Sequence, residues 1–149
     1  MAHTPAGGYG SVMPPPVLAS CTDSIPAGAP DLRGTWGVVE LTSDEPAFDP
    51  ARLTSYTERI EQAADRVVVT GGGVVHDMRA DGTLEHGVND VMHVDFATPI
   101  RVAATFEDGA LVLRPMGLPG VEVRRWLDGD QLRWRYGPLF TARLERVDP

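Results

Sequence analysis

The chain of 149 residues has no lysine; all 13 of its basic residues are arginines. No side-chain amine is therefore available for Schiff-base or amine-nucleophile chemistry. Its single cysteine, Cys21, cannot form an intrachain disulfide, and nothing in the sequence demands an oxidising compartment. No apolar run approaches the ~20 residues of a membrane-spanning helix, so a cytoplasmic location is the expectation. Leu18-Ala19-Ser20-Cys21 has the form of a lipoprotein cleavage box, but it lacks the basic start and apolar run that such a signal requires. Also missing are a Gly-rich phosphate loop, a Gly-x-Ser-x-Gly elbow, paired cysteines and a basic stripe. These absences count against nucleotide, serine-hydrolase, zinc and nucleic-acid chemistry. A net charge of −8 points the same way, because it repels nucleic acid and anionic membranes. Neither is expected as a partner, and no cofactor is expected.

What is present is an ordinary globular balance, 42% apolar and 23% charged, in a chain of single-domain length. Residues 1–30 stand apart: rich in Pro, Gly, Ala and Ser and almost uncharged, they cannot form a regular strand ladder. They read as an arm or tail, with residues 31–149 as the folded domain. From Asp31 onward, turn signals recur at short intervals, among them Asp81-Gly82, Asp108-Gly109 and Asp128-Gly129. Such pairs supply the positive φ of tight hairpin turns. The segments between them predict strands at 34–41, 55–62, 66–70, 74–79, 83–96, 100–106, 110–114, 121–127, 131–136 and 140–147.

Period-two alternation supports this reading. Ile100, Val102, Ala104 and Phe106 share one face, and a two-residue Asp108-Gly109 turn sets Phe106 opposite Leu111 and Ala104 opposite Leu113. One short helical turn is expected after Asp49, with Asp49 as cap and Pro50 in the first turn. The fold class is all-β: a single antiparallel up-and-down barrel of about 8–10 strands, a size that encloses space for a small molecule.

Asp31-Leu32-Arg33-Gly34-Thr35-Trp36 resembles the Gly-x-Trp signature opening the first strand of lipocalins and fatty-acid-binding proteins, the calycin barrels. The closing segments, Arg124 to Leu132 and Thr141 to Val147, resemble their last strands. The resemblance implies a barrel with Trp36 plugging its base and a late arginine, Arg143 or Arg146, stacked on the indole. Fatty-acid-binding proteins hold a carboxylate with a late Arg-x-Tyr pair; here Arg135 and Tyr136 are adjacent and so face opposite ways.

The most informative polar stretch runs from Val74 to His93. If Ala80-Asp81-Gly82 is a three-residue loop, His76 faces His86 and Met78 faces Leu84, with Val88, Asp90 and Met92 on the same side. That register embeds two imidazoles and a carboxylate in an apolar face. Such a cluster either orients a ligand and moves protons, or is a buried hydrogen-bonded network, or faces water. Two histidines and one carboxylate fall short of a recognised metal motif, so no metal is expected. Trp134 and Tyr136 share a face with Leu132 and either line a cavity or pack.

The reading that follows is a barrel binding a small, largely apolar ligand, with His76, Met78, His86, Val88, Asp90, Phe106, Trp134 and Tyr136 as candidate contacts. The alternative is an enzyme on the same scaffold, like small bacterial barrels that act as cyclases or isomerases. His76, His86 and Asp90 would then be the catalytic candidates. A third reading is a barrel serving as a homodimerisation unit.

Overall fold

The computed structural model describes residues 1–147; Asp148 and Pro149, the end of the expected 31–149 domain, lie outside the described residues. Ten strands follow in order: β1 (Gly34–Thr42), β2 (Thr57–Ala63), β3 (Arg66–Gly71), β4 (Val74–Arg79), β5 (Val88–Val91), β6 (Pro99–Glu107), β7 (Ala110–Pro115), β8 (Glu122–Asp128), β9 (Gln131–Gly137) and β10 (Phe140–Arg146). They form one antiparallel sheet in the order β4-β3-β2-β1-β10-β9-β8-β7-β6-β5. The sheet coils into a nearly closed up-and-down barrel, joined through β1 and β10 and left with a seam between β4 and β5. The one 3-10 turn among the described residues, Pro50–Leu53, is capped by Asp49, which accepts a hydrogen bond from the Ala51 amide. No helix among the described residues is long and apolar enough to cross a membrane.

The β6–β7 hairpin has the register its sequence predicts, Phe106 opposite Leu111 and Ala104 opposite Leu113. The predicted strand 83–96 is different. Only Val88–Val91 is strand, β5 pairs with β6, and β4 pairs with β3. The expected hairpin setting His76 against His86 and Met78 against Leu84 does not form. Two local causes are visible. Residues 80–82 turn away from β5: Ala80 N donates to the Asp65 carbonyl and Gly82 N to the Ala104 carbonyl. Gly87 then presses so closely on β6 that a Cβ there would overlap the Val102 carbonyl oxygen. The seam is bridged by the Arg79 amide on the His86 carbonyl, at 2.7 Å, and by the His76 ring.

Inside the barrel, one end is solid. Trp36 is fully buried, its Nε1 donating to the Leu32 carbonyl at 2.9 Å, among Leu32, Ile60, Val67, Leu132 and Leu144. Arg146 lies over the indole at 4.3 Å, a contact of about 0.5–2 kcal/mol. The other candidate, Arg143, pairs with Glu40 instead. Gly34 shows why the signature needs glycine: its φ is +139°, and the Arg146 guanidinium occupies the space a Cβ would take.

Residues 1–30 contain no strand and lie along the outer face of β2, β3 and β4. Sequence chemistry accounts for the docking. The outward residues Ala63, Val68 and Val75 are apolar, and Leu18 buries itself among them at 5% exposure. Both oxygens of Glu61 accept arm amides, from Val17 and Leu18, at 3.1 and 2.8 Å. Nearer the seam, Ala2 N donates to Asp77 and Thr4 N to Asp90, while the Thr4 hydroxyl takes the Val75 amide. Truncating Leu18 to alanine should cost about 2 kcal/mol, the low end for a buried leucine, because the cluster is small and can close in. Urea unfolding checks this as a lowered midpoint at unchanged slope.

Candidate functional site

The inward side chains of the opposite end do not fill it. They enclose a cavity of about 500 Å³. Strand alternation decides who lines it. On β3 Val67 is in the solid end and Val69 in the cavity; on β9 the same division falls between Leu132 and Trp134; on β7 it falls between Leu111 and Leu113. The wall is largely aliphatic and methionine-rich, with Met78, Met92 and Met116 contributing unbranched, adaptable side chains.

Of the candidate contacts, His76, Met78, Val88, Trp134 and Tyr136 line this cavity. His86, Asp90 and Phe106 do not. Phe106 packs against Leu111 near the Asp108-Gly109 turn, away from the cavity lining. His86 is exposed on the loop that leaves β4, with its Nδ1 2.5 Å from Asp81. Backbone and side-chain bonds from Thr83, together with His86, hold the Asp81 carboxyl down at about 2 and the His86 imidazole above its ordinary value. Asp90 is committed to the arm: it accepts from Thr4 and Val91 and lies 3.3 Å from His3. Burial pushes its carboxyl up, but these bonds outweigh burial and leave it below the usual range. The two histidines and the carboxylate therefore do not converge. Among the described residues no three His, Cys, Asp or Glu side chains gather as a metal site would require.

Of His76, His86 and Asp90, His76 alone lines the cavity. Its Nε2 reaches the Val91 carbonyl at 3.1 Å across the seam. Burial pushes its imidazole below the ordinary value, against the opposing pull of that carbonyl and of Asp90. His93 also lines the cavity, at a point where the chain is exposed.

The densest polar group lies outside the residues that the sequence singles out. Arg125, 5% exposed, forms a two-pronged pair with Glu58, which is fully buried, through Nε and Nη2 at 2.8 and 2.9 Å. Tyr56 donates its hydroxyl to Glu58 at 2.8 Å, and the guanidinium lies 4.7 Å from the Trp134 ring centre. Tyr56 and Trp134 stack at 5.2 Å, and Phe140 meets Trp134 edge-on at 4.9 Å. Burial works against the Arg125 charge, yet Glu58 outweighs it and holds the guanidinium's pKa above its ordinary value. The Tyr56 hydroxyl is pushed well above its ordinary value by burial, then by Glu58. A sequence signal did exist: Val123, Arg125 and Leu127 share one strand face, as do Glu58, Ile60 and Gln62.

The architecture is the antiparallel up-and-down barrel that the Gly34-Thr35-Trp36 resemblance implied. Among solved structures, human cRBP IV, a cellular retinol-binding protein, superposes with a TM-score of 0.62 at 16% identity, covering 78% of this chain and 98% of that one. Zebrafish ileal bile acid-binding protein complexed with cholic acid gives a TM-score of 0.58 at 12% identity, covering 77% and 98%. At such identities the likeness establishes the fold. No protein-family model matches the sequence, and no curated protein matches it significantly.

Two outcomes are expected from this geometry. Arg125→Ala should cost about 3–5 kcal/mol by stranding the buried Glu58 charge, and Glu58→Leu with Arg125→Met should cost far less; urea unfolding of both variants checks this. His76, favoured neutral in the folded state, contributes stability that is present above its unfolded value near 6.5 and is lost as pH falls through its lower folded value. The exposed His86 has the opposite sign, its contribution fading as pH rises through its raised folded value. Histidine NMR titration should place His76 below and His86 above the unfolded midpoint, and His76→Gln should flatten the acid-side loss of stability.

Proposed function

We propose that the chain binds a small, largely apolar molecule in the cavity. The observation that carries this reading is the unfilled, largely aliphatic space at one end of an otherwise solid barrel. Its volume of about 500 Å³ lies within the range of small-molecule sites. Support also comes from the two similar barrels, one named for retinol and one for bile acid, the latter holding cholic acid. The binding unit is the barrel from Asp31 onward, with residues 1–30 as its arm. Met78, Val88, Trp134 and Tyr136 supply apolar contact, while His76 and Arg125 supply polar contact. A cytoplasmic setting belongs to the same reading, since the one cysteine is free.

Burial of an apolar body supplies the affinity, and the cavity wall is already formed, so little ordering opposes binding. Filling the space from within tests this. Val102→Phe, at a buried lining position, should weaken binding of an apolar fluorescent dye roughly tenfold while shifting the thermal midpoint little. Undiminished dye binding by that variant would place the dye outside the barrel and sink the reading. Native mass spectrometry of freshly purified protein, set beside its denatured mass, would identify a co-purified molecule.

A further inference from the structure

We infer that the cavity selects a neutral ligand bearing an oxygen acceptor, such as a ketone or ester carbonyl, and disfavours carboxylates. This inference rests on the binding reading above. Its basis is the state of the polar patch on β8 and β9, where the register sets Arg125 against Trp134 and Val123 against Tyr136, all four lining the cavity.

Arg125 is nine-tenths buried and its charge is already answered. Glu58 takes Nε and Nη2, and Tyr56 holds the same carboxylate, so the pair is closed and neutral before any ligand arrives. What remains on the patch is donor capacity. Arg125 Nη1 has no carboxylate partner. Tyr136 makes no side-chain hydrogen bond among the described residues. Buried donors left unmade are costly, so a ligand oxygen reaching this patch is rewarded.

Charge decides which oxygen. A carbonyl accepts a hydrogen bond and brings no charge into the low-dielectric wall. A carboxylate loses its hydration, meets the Glu58 carboxylate behind the guanidinium, and gains full use of Arg125 only by splitting an existing two-pronged pair. A plain hydrocarbon avoids that penalty but leaves the donors unmet. The expected order of affinity is therefore ketone, then hydrocarbon, then acid.

Displacement of a bound apolar dye at pH 8, using methyl nonyl ketone, undecanoic acid and undecane, reads this order at constant chain length. The ketone should bind roughly tenfold or more tighter than the acid. Glu58→Gln, which releases the Arg125 charge, should raise acid affinity roughly tenfold and leave the ketone almost unchanged. Acid binding as tightly as ketone, or a ratio unmoved by Glu58→Gln, overturns the inference while leaving the cavity reading intact. Failure of all three probes to displace the dye from the wild-type chain overturns both. Should circular dichroism show Glu58→Gln unfolded, Glu58→Leu with Arg125→Met takes its place. In that pair, where Tyr136 is the donor left on the patch, the ketone's advantage over undecane should shrink, and an undiminished advantage overturns the inference.

Discussion

Pairing of β1 with β10 is the constraint on which the rest of this molecule depends. Their register, from Trp36 opposite Arg146 to Thr42 opposite Thr141, joins the first strand to the last and turns a ribbon of sequential hairpins into a wall. Once the wall is curved, alternation leaves no freedom about which side chains share the interior. At one end the inward set is Trp36, Ile60, Leu111, Leu132 and Leu144, large enough to meet across the barrel. At the other end the inward set includes Val69, Gly71, Val74 and Val88, which are too short to meet, and space remains. Packed base and open chamber are thus two results of one closure.

The chamber contains an ion pair, and that pair is a poor device for stability alone. Removing both charges from water costs nearly what their attraction returns. Its effect is geometric. Glu58 on β2 and Arg125 on β8 stand on well-separated strands of the wall, and the guanidinium is held against the Trp134 face. Tyr56 then stacks on Trp134, and Phe140 meets Trp134 edge-on, so the rings are fixed around it. Rotamers that a purely aliphatic wall would leave adaptable are locked on this side, while the methionines keep the remainder compliant. A rigid polar patch facing a soft apolar wall gives a ligand an orientation as well as a place.

The turn chemistry made most of the fold legible. Asp-Gly pairs and alternation set the register of the β6–β7 hairpin to the residue, and Asp49-Pro50 marks the one helical turn among the described residues. The segment after Gly82 carries a turn signal and a polarity pattern that together suggest one hairpin, which does not form. The sequence carries no local mark of a strand that deserts its neighbour, and the deciding contact, Gly87 against the Val102 carbonyl, is long-range. His76 stands out in the sequence because it interrupts an apolar face, and it lines the cavity. Arg125 and Glu58 do not stand out for the opposite reason: charged residues on half-polar strands are usually wet. Their burial follows from each having the other across the barrel, a pairing of distant positions that one sequence does not disclose.

The seam between β4 and β5 leaves backbone groups without a ladder partner, and the arm covers them. Thr4 takes the Val75 amide with its hydroxyl while its own amide goes to Asp90, so one residue caps both sides of the gap. Leu18 covers the neighbouring valines. An uncapped strand beside an exposed apolar face is a template on which a second molecule can add its own strand. A segment without regular structure, rich in proline and so unable to extend a ladder, is well suited to deny that template. What the arm occupies is thus the one stretch of wall where strand addition has room, a matter of surface chemistry separate from what the chamber holds.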